Sequence, residues 1–298
     1  MPAHDSAAER RVLVVSIVAS GALGALGIVW GIATRSQMIL LDGAYAIVGI
    51  VLSGVLLIAS SMSRREPSKR YPFGMEAVTP LAIALQGVVL LATLLYAVYE
   101  AVLSIRSGGS DVTAGWAIAY GVVVTIGSVV VTLWMRGATG SSDLLASETA
   151  AWAVAAWRGV GMVVGFALLA GIERSSWADA APYVDPAMVL VSCLLLVSTP
   201  LRMIRGTLVE LLEGAPPDAI RTVVDEAVAE LVAEFALSDP DLSSAKVGSK
   251  LYVELTANAD PDLTIAQQAH IRDALERRLA DLPLDVWSTV ELHPRVPH

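Results

Sequence analysis

Apolar residues fall in six long blocks along the first two thirds of the chain, and polar residues gather in short clusters between them. The blocks are Val12–Thr34, Met38–Met62, Glu76–Ile105, Thr113–Met135, Leu144–Ile172 and Pro182–Met203. Each is at least as long as the roughly 20 residues that a helix needs to cross a bilayer, so six membrane helices are predicted. The breaks are "RSQ", a tight hairpin; "SRREPSKRYPFG", which is basic and carries Pro72 and Gly74; and "RSGGSD", "RGATGSSD" and "ERSSWADAA". The polar start, "MPAHDSAAERR", shows no small-residue cleavage site, so the first block is expected to be a retained helix rather than a signal peptide.

Beyond Thr207 the pattern changes. "PPDAIRTVVDEAVAELVAEF" repeats apolar residues at helical spacing, from Ile220 through Val223, Val224, Ala227 and Val228 to Leu231. "SSAKVGSKLYVELTANA" alternates instead: Leu251, Val253 and Leu255 share one face, Tyr252 and Glu254 the other, with Gly248-Ser249 as a turn. "DLTIAQQAHIRDALERRLADL" is helical again, with Thr264 as its cap, and "LDVWSTVELH" alternates once more. The order α-β-β-α-β predicts a small sheet with two helices on one face. The expected fold class is an α-helical membrane bundle of six transmembrane helices, residues 1–206, followed by a small α+β domain, residues 207–298.

Composition agrees with this division. The chain is 55% hydrophobic and 16% charged, against about a quarter charged in a soluble domain. From Thr207 onward there are 7 Lys and Arg against 17 Asp and Glu, a net charge of −10. The first 206 residues hold 13 and 12, a net charge of +1. No basic nucleic-acid surface is indicated, so no nucleic-acid partner is expected. The acidity of the C-terminal part suits cations, or simply solubility. Cys193 is the single cysteine and lies in an apolar run, so it forms no intrachain disulfide. There is no His-rich cluster, no G-x-S-x-G and no Walker motif, so an enzyme is not expected.

Orientation follows from the cationic residues near the span ends. Arg10, Arg11, Arg64, Arg65, Lys69, Arg70, Arg136, Arg202 and Arg205 collect on one side, and Arg35, Arg106 and Arg174 on the other. Nine against three predicts a multi-pass protein of the cell membrane with both termini in the cytoplasm.

Charges inside a bilayer are costly and mark candidate functional positions. They are Asp42, Glu100, Glu148, Arg158 and Asp185. Asp185 precedes a proline and is read as an N-cap of its own helix. Glu100 lies close enough to a span end to snorkel. Asp42 stands about one turn into the second span and Glu148 about one turn into the fifth, and simple hairpin counting does not bring them to one depth. Arg158 lies near the middle of the fifth span, so it either pairs with a carboxylate or lines a wet cavity. Depth counting separates it from Asp42 by roughly 10 Å at 1.5 Å per residue, which favours an Asp42 free to meet an ion. His270, His293 and His298 are scattered and are read as surface residues.

Several local motifs then resemble the cation diffusion facilitator family: "RYPFGMEAVTP" its opening to the third span, "LLDGAYAIVGIVLS" its second span, and "YVDPAMVL" the Asp-Pro start of its sixth. "VELLEGAPP" is similar to its link between domains, and "VGSKLYVEL" to the first hairpin of its cytoplasmic domain. The resemblance implies export of a divalent ion in exchange for protons, by a homodimer joined through the cytoplasmic domains. It also implies four ligands, two on the second span and two on the fifth, each pair at i and i+4. Here Asp42 matches the first, but Ala46, Trp152 and Ala156 stand at the other three positions, with Ala155 beside the last. Glu148, one turn before Trp152, is the candidate replacement. The family's usual tetrahedral zinc cage cannot form from these residues. Asp42 and Glu148 are therefore the candidate metal positions, with Arg158 and Trp152 as altered neighbours. The alternatives are an ion held by Asp42, Glu148, carbonyls and water, or an Asp42 paired with Arg158. An oxygen-rich site suits manganese, iron(II) or magnesium better than zinc. The expected cargo is manganese, iron(II) or zinc, with no tightly bound cofactor. The alternative to a transporter is a non-transporting relative, acting as a scaffold or as a regulatory heterodimer subunit.

Overall fold

The computed structural model describes residues 3–63, 65, 68–72, 74–138 and 143–294. Phe73, Arg64 and His298, which the sequence reading uses, lie outside the described residues, as do the side chains of Arg10 and Arg11. Among the described residues, six helical segments are long and apolar enough to cross a membrane. α1 (Ala3–Thr34), α2 (Gln37–Ser63), α3 (Val78–Arg106), α4 (Ala114–Ala138) and α5 (Asp143–Glu173) are continuous. The sixth segment is assembled from a 3-10 turn (Ala178–Tyr183), α6 (Val184–Leu196) and α7 (Ser198–Leu211), so it extends past the predicted end at Met203.

The chain divides into two compact units, residues 1–54 with 88–201, and residues 55–87 with 202–298. In the first unit, α1 and α2 form the tight hairpin foreseen at "RSQ". Arg35 takes the left-handed conformation (φ 55°) that ends α1, and Ser36 begins α2 by accepting from the Ile39 N–H at 3.2 Å. The two helices then approach backbone to backbone. A Cβ on Gly43 would lie 2.5 Å from the Ile28 nitrogen, and one on Gly27 would lie 2.8 Å from the Gly43 Cα. Only glycine allows such contact, which is the usual small-residue packing of membrane helices. The buried core of this unit gathers Ile39, Leu94, Tyr120, Phe166 and Val189 from α2, α3, α4, α5 and α6.

Asp185 departs from its expected role. Its carboxylate caps α2 rather than its own helix: Oδ1 accepts from Ser36 Oγ at 2.6 Å and Oδ2 from the Gln37 N–H at 2.9 Å. The 3-10 turn precedes α6, and Tyr183 rather than Asp185 occupies the capping position there, without a side-chain bond. The free N–H groups of α2 and the Ser36 hydroxyl offer the buried carboxylate more donors than its own helix start does.

The second unit contains the predicted order: α8 (Asp218–Glu234), β1 (Ser238–Val247), β2 (Lys250–Ala259), α9 (Ile265–Leu279) and β3 (Asp285–Pro294). β1 and β2 form an antiparallel hairpin through Gly248 (φ 62°), and β3 returns parallel to β2 after α9. Leu251, Val253 and Leu255 are buried with Val224, Leu231, Ile271 and Leu275 of the two helices. Thr264 accepts from the Gln267 N–H while Gln267 accepts from the Thr264 N–H, a complete capping box. The hairpin turn is held from two sides. Glu210 of α7 accepts from Lys246 Nζ at 2.7 Å and from the Gly248 N–H at 2.8 Å, and Glu76 accepts from Ser249 Oγ at 2.8 Å. Burial, aided by Glu76, Glu213 and Asp285, pushes the Tyr252 phenol up, so it stays protonated at physiological pH.

Candidate functional site

α2 carries Asp42 in its second turn, on the face turned toward α4 and α5. The residue is 9% exposed. Oδ2 accepts a hydrogen bond from Tyr120 Oη of α4 at 3.0 Å. The Tyr120 hydroxyl lies against α1, where a Cβ on Gly27 would come within 2.6 Å of it. The missing side chain of Gly27 thus makes room for the group that holds Asp42.

Oδ1 of Asp42 lies 2.9 Å from Nε of Arg158 on α5. The roughly 10 Å gap expected from depth counting is closed. That counting assumes helix ends level with the membrane border. α5 has 31 residues, about 46 Å at 1.5 Å per residue, against a hydrocarbon core of about 30 Å. Its ends are therefore not the borders, and its midpoint cannot be located from them. The pairing is a close approach of charges and not a directed bond, because the Arg158 Nε–H has no hydrogen-bond acceptor. Arg158 approaches Oδ1 through Nε, while Oδ2 accepts from Tyr120.

Glu148, on the first turns of α5, is half-buried. It accepts from Ser16 Oγ of α1 at 2.5 Å, and Ser16 in turn accepts from Trp152 Nε1 at 2.8 Å. Trp152 is buried among Val12 and Met135, so its indole is an anchor for α1 against α5.

Asp42 and Glu148 open onto the same cavity of about 130 Å³, together with Ala46, Ala151, Trp152, Ala155 and Arg158. The face of α5 that meets this cavity therefore runs through Ala151 and Ala155, and Ala156 is not among the residues that line it. Ser128 of α4 also reaches it, 1% exposed, with a hydroxyl that has no hydrogen-bond partner. A second cavity of about 100 Å³ lies on the α6 side of the pair, lined by Asp42, Arg158, Tyr45 and Ser192. Asp42 and Arg158 border both.

Among the described residues no group of three or more His, Cys, Asp or Glu stands close enough to hold a metal ion. His270 packs edge-on against Phe235, and His293 lies 3.7 Å from Glu291. The backbone carbonyl of Glu100 accepts from Gln37 Nε2 at 3.3 Å, and its half-buried side chain lines neither cavity. Ser16, Tyr120 and Ser128 escaped the sequence reading, because a hydroxyl within an apolar block carries no periodic signal.

Several relatives match nearly the whole chain. The metal cation efflux system protein CzcD of Cupriavidus metallidurans is 23% identical over 93% of this chain and 85% of its own length. The manganese efflux system protein MneS of Bacillus subtilis is 22% identical over 94% and 93%. The zinc transporter ZitB of Escherichia coli is 24% identical over 90% and 83%. The pattern of the cation efflux transmembrane domain matches residues 13–212. That stretch is about two thirds of the sequence and contains all six membrane helices, and the chain belongs to the cation efflux family.

Proposed function

We propose that this multi-pass membrane protein exports a divalent metal cation in exchange for protons, with Asp42 and Glu148 as the two carboxylates of the cation path. The observation that carries the reading is that both open onto one cavity inside the helices, where Ala46 and Ala155 leave space for water. A carboxylate pair, one buried and one half-buried, that shares a wet space attracts a cation and carries protons when the cation leaves. With two carboxylates, hydroxyls and water, the site suits manganese or iron(II) better than zinc. The relatives' names cover manganese and zinc. The nine-to-three arginine and lysine bias supports cytoplasmic termini, and the relatives' names as efflux proteins support export as the direction. A homodimer joined through the second unit fits the exposed Trp287, which packs against Tyr252 on the sheet face away from α8 and α9.

A non-transporting relative is the second reading, and the 2.9 Å approach of Arg158 to Asp42 favours it. In that case the carboxylate is neutralised permanently and serves stability alone. Uptake into inside-out vesicles, measured ion by ion for Mn2+, Fe2+ and Zn2+, tests the choice. Export predicts saturable accumulation of at least one ion, with proton release from the vesicles. Absence of uptake for all three gives the second reading.

A further inference from the structure

Within the transport reading, we propose that Arg158 is a tethered cation that occupies the Asp42 site between transport cycles, and so sets the valence of the ion that can enter. An empty buried carboxylate is costly in a low-dielectric interior. The guanidinium removes that cost without any ion from solution. It is placed for exchange and not for permanence. Its approach to Asp42 is through Nε to Oδ1, that Nε–H is not aimed at an acceptor, and its side chain is 35% exposed. It also borders both cavities. An ion arriving from the Glu148 side can push the head group toward the α6 side, where Tyr45 and Ser192 line about 100 Å³ together with the apolar Met38, Leu41, Leu195 and Leu196.

Electrostatics decides which ion can take the arginine's place. A monovalent ion offers Asp42 the same charge that Arg158 already supplies. It must also surrender translational freedom, whereas the tethered guanidinium competes at an effective concentration on the order of millimolar or more. A divalent ion doubles the attraction to Asp42 and is drawn twice as strongly by the charge of Glu148, which lines the same cavity. Only the divalent ion displaces the arginine.

Mn2+ binding to the purified full-length protein in detergent tests this, with NaCl exchanged for choline chloride at constant ionic strength. For the wild type the expected Mn2+ affinity is the same in both salts and unaffected by methylguanidinium. In Arg158→Ala, Mn2+ should bind roughly tenfold tighter once the competitor is gone, and Na+ or methylguanidinium should then weaken it. Arg158→Lys, which keeps a tethered cation and the fold, should remain insensitive to Na+. Sensitivity of Arg158→Lys to Na+ would overturn the proposal. So would Arg158→Ala binding with unchanged or weaker affinity and no effect of methylguanidinium. If Asp42→Asn alone abolishes Mn2+ binding in that case, the transport reading stands while the proposal falls. If neither the wild type nor Arg158→Ala binds Mn2+ at all, both fall.

Discussion

Asp185 and Ser36, separated by most of the membrane region in sequence, meet at 2.6 Å through Oδ1 and Oγ. The same carboxylate accepts the Gln37 and Met38 N–H groups at 2.9 and 3.3 Å. It therefore ties the start of α6 to the start of α2, the helix that presents Asp42. Asp185→Ala should lower thermal stability by about 1–3 kcal/mol, the usual cost of leaving buried donors unpartnered. Asp185→Asn should fall between, since an amide has one acceptor to offer where the carboxylate has two. Thermal unfolding in detergent checks both, and an unchanged midpoint in Asp185→Ala would contradict the cap.

The contact of α1 with α2 gives a second expectation. Gly43→Ala puts a methyl 2.5 Å from the backbone nitrogen of Ile28, where no flexible side chain can give way. A loss of about 1–3 kcal/mol or more is expected from such overpacking. Gly49→Ala, on the same helix with nothing within 4 Å, is the matched control and should leave stability unchanged. Equal unfolding midpoints for the two variants would contradict the close packing.

Orientation is tested by labelling. In a Cys193→Ser background, a cysteine replacing Ser68, which is exposed between α2 and α3, should react with a membrane-impermeant maleimide only from the cytoplasmic side. Labelling from outside the cell would reverse the assignment made from the arginines and lysines.

The six spans and the α-β-β-α-β order were legible because each rests on local periodicity and length, which apolar blocks and strand alternation display directly. The Thr264 cap was legible for the same reason, its partner Gln267 being three residues away. The site was legible only as a set of residues. Asp42, Glu148, Trp152 and Arg158 stood out as charges or departures inside apolar blocks, but their distances did not, because helix ends do not mark depth when α5 outruns the bilayer. The trans cap of α2 by Asp185 was hidden by its own sequence neighbour. Pro186 suggests a local cap, and nothing local points to Ser36. Tyr120 and Ser16 set the geometry of Asp42 and Glu148 from α4 and α1, and only the packed helices reveal them.

The Asp42–Arg158 pair also carries a stability signature. Removing one member of a buried pair strands the other, at a cost of about 3–5 kcal/mol in a fully buried case and less here, where the Arg158 side chain is 35% exposed. Asp42→Asn and Arg158→Gln should each lower the unfolding midpoint, and the double variant should recover part of the loss. Additive losses would contradict a coupled pair.

The central claim is that Asp42 meets the transported ion. Mn2+ uptake into inside-out vesicles, normalised to folded protein for the wild type and Asp42→Asn, tests it most directly. Asn keeps the shape and the Tyr120 hydrogen bond to its carbonyl but removes the charge. The account predicts saturable uptake by the wild type and none above empty vesicles by Asp42→Asn. Equal uptake by the two proteins would contradict it.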